Sequence, residues 1–338
     1  MTSKAWRDLV IEEALEPELP IIDTHHHLWD EPRFPPFEIY PMEAIFADKT
    51  GSGHNVVATV FLDCHSHYRT TGPEHLRLVG ETEFMNKVAD EGQRRGGKCA
   101  NTMAAIIPGC DLLDSQHTGE VLDAHLAASA RVRGIRHSTA FDNSLEGNWG
   151  CPVGDVMTQP EFRKGFAELA KRDLTFDAWL LQTQIPELIA LARDFPQTNI
   201  VLDHMGGPFV LGRYANRAKE GFADWKAAMK EIAKLPNVFL KIGGLNMRLT
   251  GLDASDRPRP RTSEETAAAQ RDHILTAIDI FGPSRCMFET NFPVDMYSIS
   301  YGVLWNTFKR VTAGFSPSER ADIFAGTAKR VYRINLSN

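Results

Sequence analysis

The sequence predicts an α/β chain closed as a (β/α)8 TIM barrel in one domain, and three observations predict it. Short apolar segments alternate with helical patterns eight times along 338 residues. Those segments are apolar on both faces, as parallel strands covered on both sides must be. No Gly-x-Gly-x-x-Gly follows the first of them, which disfavours an open doubly wound sheet. Eight units over this length suit a barrel, with 20–338 as the barrel domain behind a 1–19 surface lead-in.

The elements follow in order. A short helix is expected over 5–13 and a first strand over 20–27. A long loop over 28–52, rich in Pro and aromatics (Trp29, Phe34, Pro35, Pro36, Phe37, Tyr40), carries one short helix near 42–46. The second strand is 56–62 and a helical stretch spans 73–95. The third strand is 100–107, closed by Pro108-Gly109, and 119–130 is helical. The fourth strand is 132–137, and 142–158 is a glycine-rich loop. Pro160 opens a helix to 171, because proline suits a first turn. The fifth strand is 174–181, followed by a helix at 185–194. The sixth strand, 199–204, ends at Met205-Gly206-Gly207-Pro208. A polar helix covers 219–234, the seventh strand 238–242, an exposed insertion 250–262 and a helix 267–281. The eighth strand starts at 285 and ends near Asn291-Phe292-Pro293. Helices at 301–313 and 318–332 close the chain.

Composition excludes several classes. A net charge of -7 gives no basic face for nucleic acid. Five cysteines without a C-x-x-C pair read as reduced thiols, so the expected location is cytoplasmic. The first 20 residues lack the apolar core of a signal peptide, and no apolar run is long enough to span a membrane. The expected partner is a small molecule, with a homo-oligomer left open.

The chemistry concentrates at Ile21-Ile22-Asp23-Thr24-His25-His26-His27-Leu28-Trp29. Strand alternation puts Asp23, His25 and His27 on one face, so two imidazoles can converge on a metal or a substrate oxygen. In a barrel the strand ends meet at one mouth. His25, His27, His65, Arg136, His137, Trp179, Gln182, His204 and Asn291 then gather there. Histidines beside an arginine suit acid–base work and anion binding. The glycines after His204 let a backbone or ligand come close. Trp29, Tyr40 and Trp179 are candidate pocket walls, with Arg69 and Arg248 as further positive charge. Cys64 reads as an inert core thiol.

Three motifs carry a resemblance: Ile-Asp-Thr-His-His-His-Leu-Trp at 22–29, Val-Leu-Asp-His-Met-Gly-Gly-Pro at 201–208, and Met-Phe-Glu-Thr-Asn-Phe-Pro-Val-Asp at 287–295. From about residue 20 to 336 the chain resembles the amidohydrolase-related (amidohydrolase 2) branch of the amidohydrolase superfamily. It is most similar to the group holding 2-pyrone-4,6-dicarboxylate lactonase, sulfomuconolactone hydrolase and sugar-acid lactonases. The resemblance implies a reaction centre ringed by His25, His27 and His204, and a last-strand carboxylate. That carboxylate is Asn291 here, and an amide is neither a general base nor a good zinc ligand.

Three readings follow. A nearby carboxylate substitutes, with Asp295, a loop residue free to reach substrate, favoured over Glu289. Glu289 replaces the small residue usual at its position, and it could instead pair with Lys241. Alternatively the histidines move the proton while Asn291 orients substrate or water, or the site is degenerate and only binds. The resemblance implies a divalent metal, zinc by preference, on His25, His27 and His204, or none, since the branch includes metal-free enzymes; no organic cofactor is expected. It also implies that Arg136 forks onto a substrate carboxylate. His65 and His137 would line the same substrate pocket. The function so implied is hydrolysis of a lactone or similar cyclic ester of a small carboxylic acid. The alternatives are a nonoxidative decarboxylase of an aromatic or enoic acid on the same scaffold, or an inactive binding homologue.

Overall fold

A computed structural model describes residues 3–31, 38–147 and 150–336. Phe34, Pro35, Pro36 and Phe37 of the first long loop, and 148–149 of the 142–158 loop, lie outside the described residues. Eight parallel strands occur among the described residues: β1 (Pro20–His26), β2 (Asn55–Leu62), β3 (Ala105–Ile107), β4 (Gly134–Arg136), β5 (Thr175–Ala178), β6 (Ile200–Leu202), β7 (Val238–Ile242) and β8 (Cys286–Phe288). They pair in the order β1-β2-β3 and β4-β5-β6-β7-β8. Single bridges join the two runs into a barrel. Ile106 pairs with Val132, Gly109 with Arg136, and His26 with Phe292. The last closure is reinforced where His27 N–H donates to Phe292 O at 2.7 Å and Asn291 N–H to His25 O at 2.9 Å.

Several strands are shorter than their apolar runs suggest. Residues 100–104 are turn, so β3 begins at Ala105, and β6 stops at Leu202. Asp203–Gly206 instead form a tight turn in which His204 has φ 50 and Met205 φ 57. The helix expected over 267–281 starts earlier, at Ser263, because Thr262 and Glu265 form a reciprocal cap. The first helix is only Lys4–Arg7.

The two apolar faces of the strands fill two layers. Ile21, Phe61, Ile106, Phe176, Leu240 and Phe288 pack outward against the helices. Ile22, Val60, Leu62, Ile107, Val201 and Met287 fill the barrel with Val331, Tyr332 and Ile334 from the C-terminal segment. That explains the continuous apolar runs: neither face meets water.

Charge interrupts this interior at one layer. The Lys241 ammonium lies 2.7 Å from Asp177 Oδ2 and 3.0 Å from Asp203 Oδ1, all fully buried. The Tyr332 hydroxyl donates to Asp177 Oδ2 at 2.6 Å. Desolvation would lower Lys241, but the carboxylates of Asp177, Asp203 and Glu289 hold it above its ordinary value. Lys241→Met would leave the carboxylates buried without a cation. Removing one partner of a buried pair costs about 3–5 kcal/mol, so urea unfolding of Lys241→Met should show a loss of that order.

Candidate active site

The strand ends at the C-terminal mouth bring the imidazoles together. The pairing register of β1 shifts between Asp23 and His26. This corrects the expected common face. Asp23 turns away and accepts from Thr290 N–H at 2.9 Å, Thr290 Oγ1–H at 2.7 Å and the Tyr301 hydroxyl at 3.0 Å. Asp23 is thus a staple between β1 and the segment after β8. His25 and His27 do converge, with their Nε2 atoms 3.2 Å apart. His27 Nδ1 donates to Leu62 O at 2.9 Å, which leaves its Nε2 with the lone pair. The His204 ring centre lies 4.4 Å from that of His25 and 4.9 Å from that of Trp179.

All three imidazoles are held neutral. Burial drives His25 and His27 well below the ordinary histidine value and lowers His204 to about 4. Beneath them stands Glu289, fully buried. Its Oε1 accepts from His204 Nδ1 at 2.7 Å and from His204 N–H at 3.1 Å. Its Oε2 lies 3.0 Å from His25 Nδ1. Lys241 Nζ reaches His25 Nδ1 at 3.4 Å. The direct partner of Glu289 is therefore the histidine pair, while Lys241 is committed first to Asp177 and Asp203. Burial pushes the Glu289 carboxyl well above its usual range.

Asp295 is not the freely reaching loop carboxylate expected. It is fully buried, in the turn Asp295–Tyr297. Asn246 N–H and Nδ2 donate to its Oδ2 at 3.1 and 3.0 Å, and Asn291 Nδ2 donates to its Oδ1 at 2.9 Å. Asn291, at φ 56, thus holds the carboxylate that its own side chain lacks. Burial raises Asp295 to about 7 against the pull of these donors and of nearby His204. A carboxylate has about four lone-pair directions, so three donors leave Oδ1 one to use.

Arg136 reaches into the same mouth. Its Nη1 is 3.4 Å from His25 Nε2, and its Nη2 donates to the Asp63 carbonyl. Its Nε is buried without a hydrogen-bond partner. Asp63, His65, Tyr68, Asp111, Arg136 and His137 line an adjoining cavity of about 210 Å³. His65 is mostly exposed there and bonds the Tyr68 hydroxyl at 2.9 Å. His137 Nδ1 accepts from Leu112 N–H at 3.1 Å.

The remaining expectations land elsewhere. Tyr40 is core: its hydroxyl donates to Asp48 at 2.6 Å and its ring packs on Phe292. Trp29 stacks on His27 with ring centres 6.0 Å apart. Arg69 pairs with Glu83 and Arg248 with Asp256, so neither adds free positive charge to the mouth. Gln182 donates to Gly221 O. Cys64 is buried and its thiol is pushed well up by desolvation. Asp203 and Asn246 were not among the expected site residues. Asp203 was signalled by its place before His204 in the second motif; Asn246 had no signal beyond following Gly243-Gly244.

The donor set fits a divalent cation. Two Nε2 atoms 3.2 Å apart match the edge of a zinc tetrahedron, about 3.3 Å for Zn–N near 2.05 Å. Glu289 Oε2 and Asp203 Oδ2 are buried without hydrogen-bond partners, and Lys241 faces the three carboxylates of Asp177, Asp203 and Glu289. Buried carboxylate oxygens left without donors favour a cation nearby. Among the described residues, His25, His204 and Glu289 offer ligand atoms within 4.8 Å of one another. The sequence had named His27 in the place that Glu289 takes in this group.

Comparisons with known proteins show the family. A family model described as Amidohydrolase matches residues 22–334. The y4mH protein of Sinorhizobium fredii is 33% identical over 339 residues, covering 94% of this chain and 99% of that one. An L-fucono-1,5-lactonase of Burkholderia multivorans is 27% identical over 329 residues, covering 93% and 96%. The crystal structure of an amidohydrolase from Burkholderia multivorans with bound zinc superposes with a TM-score of 0.69 at 23% identity, over 93% of this chain and 99% of that one.

Proposed function

We propose a function on one premise: the chain belongs to the amidohydrolase family. It is a hydrolase, and the bond it breaks is the ester of a lactone. The substrate is a lactone of a small carboxylic acid, anionic and cyclic. The observation that carries this reading is the approach of Arg136 Nη1 to His25 Nε2 at 3.4 Å. A carboxylate forked onto the guanidinium brings a ring carbonyl next to it over the imidazoles. The unpartnered Arg136 Nε is a donor that such an anion would satisfy.

The residues then divide the work. Asp295, through the free direction of Oδ1, accepts the proton of the attacking water. It returns that proton to the ring oxygen as the C–O bond breaks, giving a hydroxy acid. Asn291 and Asn246 keep Asp295 aimed. His25, His27 and His204 frame the carbonyl and would hold a divalent ion, zinc by preference; when bound, that ion supplies Lewis-acid polarisation of the carbonyl. Trp29 and Trp179 flank the histidines as apolar walls, and His65 and His137 border the cavity beside Arg136. No organic cofactor enters this scheme. The reading keeps the protein cytoplasmic, where its free cysteines remain reduced.

The test is a panel of 1,5-sugar lactones and carboxylated 2-pyrones, given to zinc-replete protein and followed by acid release in weak buffer. Turnover of at least one lactone is expected. Carbon dioxide release from hydroxybenzoates with every lactone untouched would replace this reading by decarboxylation. Arg136→Met should raise KM for carboxylated lactones by about 10- to 100-fold, the size of a lost charge-assisted pair. Its KM for lactones without a carboxylate should hold within about threefold, a difference of only about 0.65 kcal/mol.

A further inference from the structure

We propose that Glu289 is a positioning residue for His204: one carboxylate oxygen takes both the ring Nδ1–H and the backbone N–H of that histidine, and so fixes its tautomer and its ring. This rests on the reading of His204 as a member of the reaction centre, and it takes Glu289 out of the ligand group it forms with His25 and His204 and places it behind the ring, as neither a base nor a metal ligand.

The geometry is specific. The two bonds to Oε1 measure 2.7 and 3.1 Å. Both come from N–H donors, so Oε1 is saturated as an acceptor. Nδ1 is thereby the protonated nitrogen, and Nε2 at the far end of the ring carries the lone pair.

The turn needs this anchor. His204 and Met205 both sit in the left-handed region, at φ 50 and 57. Two successive residues there are costly for L side chains. The bond from His204 N–H ties that turn to the end of the last strand.

The neighbouring strand has made room. A Cβ on Gly243 would stand 2.3 Å from Glu289 Cγ, and one on Gly244 would stand 2.7 Å from His204 Cβ. Two adjacent glycines after β7 therefore seat the two members of this pair. The rings of His25 and Trp179 bracket His204, so its torsion is set from the sides and its tautomer from behind. A ring held this way offers a lone pair at a fixed place to a metal, a water or a proton.

The experiment compares Glu289→Gln with Glu289→Ala, using nitrogen-15 NMR of the histidine rings, metal content, and kcat and KM on the best lactone. In the natural protein His204 should show Nδ1–H and a bare Nε2; the opposite tautomer overturns the proposal. In Glu289→Gln the amide oxygen can take the same two bonds. Tautomer and metal content should hold, and kcat should stay within about threefold. In Glu289→Ala the tautomer should mix and kcat fall by about 10- to 100-fold, as outer-shell losses do, with KM little changed.

A Gln variant that keeps the tautomer but loses metal or kcat as far as the Ala variant shows the carboxylate charge itself at work, and the proposal falls. An Ala variant with full kcat sinks it equally. If Glu289→Ala does not fold, Glu289→Gln and the natural protein's spectrum decide alone. Should no lactone be turned over, the ring spectra still judge Glu289, so the two readings fail separately.

Discussion

Asp295→Asn should lower kcat by about 10²- to 10⁴-fold, the range for removing a positioned general base, with KM nearly unchanged. The reason is local. Among the mouth residues Asp295 combines full burial, three N–H donors and a carboxyl raised to about 7. A base with that value is half ionised at neutral pH and strong enough to take a proton from attacking water. The sign is fixed: the ionised form is the active one, so kcat/KM should rise with pH and level off above about 7. Background lactone opening must be subtracted at the alkaline end. A flat profile from pH 5 to 9 would remove Asp295 from the role.

The exchange Asn291→Asp with Asp295→Asn sharpens this test. The two side chains already share a hydrogen bond at 2.9 Å. Moving the carboxylate across that bond places it at the strand end. The double variant should recover at least tenfold over Asp295→Asn alone, because a carboxylate is again within reach of the mouth. No recovery would mean that the position of Asp295, and not merely its charge, is required.

His25→Asn should cost about 10² to 10³ in kcat, as loss of one group stabilising the developing oxyanion does. His25 touches more of the site than any neighbour. Its Nε2 is 3.2 Å from His27 and 3.4 Å from Arg136, and its Nδ1 is 3.0 Å from Glu289 and 3.4 Å from Lys241. Elemental analysis should show the metal lost together with kcat. Retained metal with lost activity would make His25 a group acting on substrate alone. Thermal melting separates both outcomes from misfolding, since Lys241 keeps Asp177 and Asp203 in the variant.

Much of this was legible from the chain. Strand β1 with His25 and His27, strand β7 at 238–242, and the helix at 185–194 were all marked by apolar runs and punctuation. Where the reading slipped, the cause was packing between distant segments. Residues 100–104 are apolar enough for a strand yet form turn, since Thr59 binds both sides of it: its N–H donates to Asn101 O and its carbonyl accepts from Ala104 N–H. Tyr40 looked like a pocket wall because aromatic loop residues often are; its hydroxyl found Asp48 instead.

The sequence by itself determined the architecture and the cast: eight apolar strands with both faces covered, and three histidines at the ends of two of them. Those properties are periodic and local, so they can be read in one dimension. Only the tertiary structure decided which carboxylate stands where. Asp23, Glu289 and Asp295 are equally acidic on paper. Folding sends the first to Thr290 and Tyr301, the second beneath His204 and the third to Asn246 and Asn291. A buried carboxylate is defined by its donors, and apart from Asn291 these donors lie 49 to 278 residues away along the chain, where they leave no periodic trace.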